Sequence, residues 1–210
     1  MARTALRALE PVTNDAEGTI LVGAPYAVEF SIEGTCPILF HRWSCEDVAA
    51  KAAAKKGSAA KKSDNIESYV YRCSDGTLGI PSVYTLGSII DPKNGAAKYI
   101  QDPRSPRKSA LDLFRAGIAP LEEIASLGVT EWDYVDQRRV TIQRASITRQ
   151  RPALSAGWKA TFYFQVLLPE YIDHKLLLET LNQAGRLVGI GDFRPTYGRF
   201  SVTSFKVLKD

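Results

Sequence analysis

The sequence predicts an α+β fold of the ferredoxin-like (RRM-like) kind, a βαββαβ chain around an antiparallel sheet with large insertions. Residues 26–33 alternate apolar with polar, the period of a strand with one buried face. The last third runs strand, strand, helix, strand, with β-branched and aromatic stretches on either side of one helical pattern. Between these blocks, Pro81-Ser82 opens a second helical stretch, a position where proline is well tolerated. With the connecting segments removed, the order is βαββαβ. The 210 residues suffice for one domain with a sizeable core. The expected core segments are 19–43, 81–100 and 138–208, with insertions at 44–80 and 101–137.

Residues 1–17 are polar and suggest no regular element. In the strand at 26–33, Tyr26, Val28, Phe30 and Ile32 point inward, and Gly34-Thr35 ends it. Residues 36–42 continue as an extended apolar segment, because Pro37 disfavours helix at the residue before it. Residues 46–65 are rich in alanine and lysine but lack a broad apolar stripe, so a weakly packed short helix and loop is expected. Residues 68–73, then Asp75-Gly76, then 78–80 form a hairpin pattern. A helix follows over 83–90, with a second piece near 96–100. Residues 102–109 have loop composition. Residues 111–127 stay open between a helix lined by Leu113, Ile118, Leu121, Ile124 and Leu127 and short strands favoured by Gly117 and Pro120. Residues 132–136 read as a turn.

Val140, Thr141, Ile142, Ile147 and Thr148 make 139–150 a strand, and Trp158, Phe162, Phe164 and Val166 make 158–168 another. Asp173 caps a helix over 174–187, with Leu176, Leu177, Leu181 and Ala184 at helical spacing. Residues 199–208 form the last strand.

The formal charge of +4 says little about partners, but its distribution says more. Arg138, Arg139, Arg144, Arg149, Arg151 and Lys159 follow one another with no acid between them. Further clusters are Arg104, Arg107 and Lys108, and the lysines of 51–62. Segregated charge of this kind predicts a positive face that attracts polyanions. No apolar run reaches the roughly 20 residues of a membrane span, and none follows Met1 as in a secretory signal. A cytoplasmic protein with no membrane partner is therefore expected. Cys36, Cys45 and Cys73 lack metal-type spacing and are expected as free thiols, with no metal and no cofactor.

Two constellations could carry function. The first is the segment Gly189-Ile190-Gly191-Asp192-Phe193-Arg194-Pro195 with Tyr197 and Arg199. Gly189 and Gly191 permit positive φ, so main-chain N–H groups could face an anion. Arg194 and Arg199 supply planar donor forks, and Tyr197 a ring. The competing reading is a helix C-cap and tight turn. A dinucleotide fingerprint is excluded, because the segment follows a helix and precedes a strand. The second constellation is a basic strand pair, with Arg149 and Arg151 on one face beside Thr141 and Gln143, Lys159 and Tyr163 beside Gln165 on the next strand, and Arg144 in register with Val140 and Ile142. Bases could stack there on Tyr163, or the face could be only a solvated surface. Among residues that could do acid–base chemistry, His41 is the candidate, ahead of His174. No serine elbow or zinc-protease motif accompanies them.

The run Ala184-Gly185-Arg186-Leu187-Val188-Gly189-Ile190-Gly191-Asp192-Phe193-Arg194-Pro195, with Gly198-Arg199-Phe200 after it, resembles a bacteriophage protein family. The stretches Gly34-Thr35-Cys36-Pro37-Ile38-Leu39-Phe40-His41-Arg42 and Arg149-Gln150-Arg151-Pro152, continuing to Trp158, carry the same resemblance. It implies a site of action in the bacterial host cytoplasm. More distantly, a helix running into a C-terminal glycine-rich loop resembles the RAMP superfamily of CRISPR proteins. That likeness implies an RRM-like fold that binds RNA partly through the loop, with some members polymerising along a guide strand and some cutting RNA. The resulting expectation is a non-enzymatic binder of single-stranded RNA or DNA, acting as a homo-oligomer or filament. A metal-independent endoribonuclease using His41 and Arg194, and an assembly module without nucleic acid, are the alternatives.

Overall fold

A computed structural model describes residues 23–43, 49, 53, 65–142 and 145–208, with the side chains of 140–147 outside that description. The strands are β1 (Tyr26–Gly34), β2 (Ile38–Leu39), β3 (Tyr71–Arg72), β4 (Leu78–Pro81), β5 (Gln101–Asp102), β6 (Ser105–Ser109), β7 (Ile118–Pro120), β8 (Ile124–Ser126), β9 (Tyr134–Ile142), β10 (Ala145–Leu154), β11 (Lys159–Val166) and β12 (Phe200–Leu208). The α-helices with described ends are α1 (Ser82–Ile90), α2 (Leu111–Gly117) and α3 (His174–Gln183).

The main sheet has the order β12-β1-β11-β7, with every neighbouring pair antiparallel. Helix α1 lies in sequence between β1 and β7, and α3 between β11 and β12. This is the ferredoxin-like arrangement in which the two central strands are the first and third of the motif. One face of the sheet is apolar because the period of two puts Val28, Phe30 and Ile32 on the same side as Ala160, Phe162, Phe164 and Val166. Phe30 stands directly opposite Phe162, with ring centroids 5.6 Å apart, and meets Phe164 edge-on at 5.2 Å. Leu113 and Phe114 of α2, Ile89 of α1, and Leu177 and Leu181 of α3 belong to the same core. Tyr26, expected inward with its neighbours, is half-buried, and its hydroxyl donates to the Ile172 carbonyl at 2.9 Å. Burial there raises its phenol to about 12.

The other face carries Glu29, Ser31 and Glu33 beside Lys159, Thr161, Tyr163 and Lys206. Its charges are internally matched: Lys206 meets Glu29 at 3.0 Å and Lys159 meets Glu33 at 3.5 Å.

Several elements differ from the sequence expectation. The second strand of the motif is β7, not 139–150. Three residues ending in a proline are too short to show a period, and Pro120 is tolerated because β7 is an edge strand. Residues 139–142 and 145–150 are extended but belong to two strands of a hairpin: β9 and β10 pair from Tyr134↔Ala153 to Ile142↔Ala145 and join β2 in a separate sheet. The face expected to combine Arg149 and Arg151 with Lys159, Tyr163 and Gln165 is therefore divided between two sheets. Alternation assigns a side chain to a face but does not name the strand next door. The expected loop at 102–109 contains β6, paired with β5. The open region 111–127 resolves into α2, β7 and β8. The hairpin at 71–81 is present as β3–β4, and the helix ending near 187 stops at Gln183 and closes in a π-turn over Ala184–Val188. The readings for 1–17 and most of 46–65 lie outside the described residues.

Candidate nucleic-acid interface

Directly opposed residues of an antiparallel pair share a face. In the β9–β10 hairpin, Asp136 stands opposite Arg151, and Arg138 opposite Arg149. That face meets the glycine-rich loop. The Arg138 guanidinium lies 4.5 Å from the Tyr197 ring centroid and 5.2 Å from that of Phe193. Its Nε and Nη2 donate to the Asp136 carboxylate, and Nη2 also to the Tyr197 hydroxyl. Nη1 makes no hydrogen bond to a described residue. The Asp136 bond, then the Tyr197 bond, hold the arginine pKa well above its ordinary value.

Arg151 is 4% exposed. It donates from Nε to Asp192 at 2.8 Å and from Nη1 to the Gln150 carbonyl, and stacks 4.7 Å from the Tyr69 ring centroid. Buried charge needs this kind of pairing, so Arg151 clamps the loop to the hairpin and has little surface left for a ligand. Asp192 also lies 3.5 Å from His41 Nδ1, and His41 meets Tyr69 edge-on at 5.3 Å.

The loop backbone does not form the expected amide nest. The Gly189 N–H donates to Ala184 O, Ile190 to Gly198 O, Asp192 to Leu39 O, and Gly198 to Pro37 O. Phe193, at φ 55, donates its N–H to its own neighbour's carboxylate, Asp192 Oδ1. The glycines have packing reasons. A Cβ on Gly189 would meet the Gly198 carbonyl oxygen at 2.8 Å, and one on Gly191 the Leu39 carbonyl oxygen at 2.8 Å. The loop thus threads past the 37–39 segment, and its outward chemistry lies in side chains. Arg194 is exposed and 4.0 Å from Asp91; the bond between Arg194 and Pro195 is cis.

The structure therefore brings Arg149, Arg151, Tyr197 and the 189–194 loop together. Lys159 and Tyr163 lie on the open face of the main sheet, and Arg199 lines a different cleft beside α3. Arg144 lies outside the described residues. The sequence presents Asp192 and Phe193 only as members of the glycine-rich segment and Arg138 only as part of the basic run, and it does not mark Tyr69 as a site residue. Arg138 was visible as the start of the acid-free run, but only the hairpin register places it against the loop.

A small cavity of about 200 Å³ lies beside the same loop, lined in part by His41, Tyr84, Asp192 and Arg194. Burial and then the Tyr71 hydrogen bond raise the Tyr84 phenol, keeping it neutral. No metal-holding cluster occurs among the described residues. Among the described residues, no helix is long and apolar enough to cross a membrane.

Fold and site define a class: a ferredoxin-like α+β chain whose inserted arginine hairpin is clamped to a C-terminal glycine-rich loop. Among solved structures, the chain is similar to one in the cryo-EM structure of the Type III-B Cmr-beta bound to cognate target RNA. Identity is 12% and the TM-score 0.46, over 88% of this chain and 61% of that one. This chain thus spans less than two thirds of the length of that neighbour. No protein-family model and no curated protein matches the sequence.

Proposed function

We propose that the protein binds single-stranded nucleic acid, RNA or DNA, on the face where the β9–β10 hairpin meets the 189–199 loop. It does so without turning the strand over, and copies associate along one strand. The carrying observation is the Arg138 stack: a guanidinium plane against two rings, oriented by Asp136, with Nη1 left to donate and Arg149 directly across the hairpin. Bases stack on aromatic rings and on guanidinium planes, and phosphate accepts from such forks. Exposed Arg194 extends the same face. Arg151, Gly189 and Gly191 contribute by holding the loop in place. Lys159 and Tyr163, on the open sheet face, would be reached only by a strand longer than one footprint.

Fluorescence anisotropy with labelled single strands of about 6 and about 20 nucleotides tests this, since single-strand site sizes run from about 4 to 16. Affinity should rise with length and fall steeply with salt. Arg138→Ala should weaken binding about tenfold. Arg194→Ala should weaken it evenly across sequences, because phosphate contacts carry no base information. A protein that ignores both strands at low salt does not have this function.

A second reading has its own observation: the His41–Asp192 pair beside Tyr84 and Arg194 in one cavity. An imidazole oriented by a carboxylate, with a guanidinium nearby, is the equipment of metal-independent RNA cleavage. Cleavage of a single-stranded RNA in EDTA that disappears in His41→Ala would establish it. An RNA recovered intact after long incubation with the wild-type protein would remove it.

A further inference from the structure

We infer that the cleft between α3 and the start of β12 is a second track for the phosphate backbone of the same single strand, an inference that rests on the function proposed above. The cleft holds about 790 Å³, and three cations from three elements line it: Lys175 of α3, Arg186 of the π-turn and Arg199 just before β12. All three are exposed.

None of the three forms an ion pair with a described residue, whereas Arg72, Arg104, Arg115, Arg138, Arg151, Lys159, Arg194 and Lys206 each do. Lys93, Arg107 and Lys108 also have no ion pair with a described residue; this cleft differs in gathering three such cations from three elements around one concave space. Among the described residues, Glu179 is the one carboxylate that lines the cleft, and the Gln183 amide donates to it at 3.4 Å. The hairpin face therefore offers oriented stacking groups whose charge is largely matched. The cleft offers unmatched charge inside a concave wall, where field lines concentrate. The Asn182 amide adds an uncharged donor.

The packing that assembles the cleft is specific. A Cβ on Gly185 would lie 2.2 Å from the Phe200 carbonyl oxygen. Backbone contact at that point forces the next residue on one side, Arg186, and the preceding residue on the other, Arg199, to the same end of the cleft. Phosphodiester oxygens fit such a row of donors better than a compact ligand would, because the cations come from separate elements and line an open cleft. The strand would pass from the Arg138 face around the Tyr197–Arg199 turn, so that Arg199 joins the two surfaces.

The test compares the wild type with Lys175→Ala/Arg186→Ala/Arg199→Ala, with the charge-keeping Arg186→Lys/Arg199→Lys, and with Arg138→Ala. The readout is anisotropy of a labelled strand of about 20 nucleotides over a salt series. Each lost phosphate contact removes about 0.7 from the log–log salt slope of single-strand binding, so the triple variant should lower it by about 2. The charge-keeping variant should retain the wild-type slope, and thermal unfolding should confirm that all variants are folded. A wild-type slope in the triple variant, with binding still weakened by Arg138→Ala, overturns the second track and leaves the function standing. A lowered slope in the triple variant with Arg138→Ala unchanged supports the track and removes the hairpin face. No strand binding by the wild type overturns both. Displacement of the strand by polyglutamate at equal charge concentration would assign the cleft to an acidic protein and overturn the track.

Discussion

At Gly198 a Cβ would sit 1.6 Å from the Ile190 carbonyl oxygen, and φ there is +72°. Gly198→Ala should therefore destabilise the protein by roughly 3 kcal/mol or more, since both the contact and the left-handed backbone oppose a side chain. Denaturant unfolding would measure it, and a loss below about 1 kcal/mol would mean that the chain at Gly198 can move away from Ile190. Asp102 offers a test of charge at the same scale. It is 4% exposed and accepts from the Arg104 side chain at 2.8 and 3.0 Å and from the Arg104 N–H at 2.9 Å. The guanidinium bonds first, and the main-chain bond after them, hold its carboxyl below the ordinary range. A pKa lowered by folding means stabilisation that is complete above the unfolded value and lost as pH falls through the folded one. Asp102→Asn should cost about 1–3 kcal/mol at neutral pH. The difference from wild type should shrink below about pH 4; a gap constant from pH 7 to pH 2 would refute the assignment.

The β9–β10 hairpin is the element on which the proposed function turns. Its base is anchored by Pro152↔Val135, Ala153↔Leu39 and the buried Arg151, while 137–139 and 148–150 contribute no residue to the core. Gln137 and Gln150 are directly opposed, so residues 138–149 can be replaced by an Asn-Gly turn that closes the hairpin in register. The shortened protein should melt within a few degrees of wild type, about 1 kcal/mol of stability at this size, yet lose most of its affinity for single strands. Unchanged affinity would move the interface elsewhere. This element also shows where sequence reading stops. β-Branched residues mark it as extended, but the sequence between Ile142 and Ala145, Gln143-Arg144, is not one of the glycine-containing pairs that announce tight hairpins. It was therefore read as one core strand.

At the scale of the whole molecule, sequence pattern was most informative where one face of an element is dry. β1 and β11 were legible because Val28, Phe30, Ile32, Phe162 and Phe164 alternate with polar residues, and burial of one face is what makes alternation necessary. Asp173 marked the start of α3, and its carboxylate does accept from the Leu176 N–H at 2.7 Å. The βαββαβ order and the clustering of arginine near Gly189–Arg199 are likewise properties of the chain as written. Tertiary structure alone settled that β7 fills the fourth place in the main sheet and that the hairpin turns its Arg138 face to Phe193 and Tyr197. It also settled that Asp192 binds Arg151, and that Lys175, Arg186 and Arg199 share a cleft without carboxylate partners among the described residues. These are relations between residues far apart in sequence. Local periodicity constrains which side of an element is buried, whereas the partner on that side is chosen by competition among all the surfaces the chain brings together.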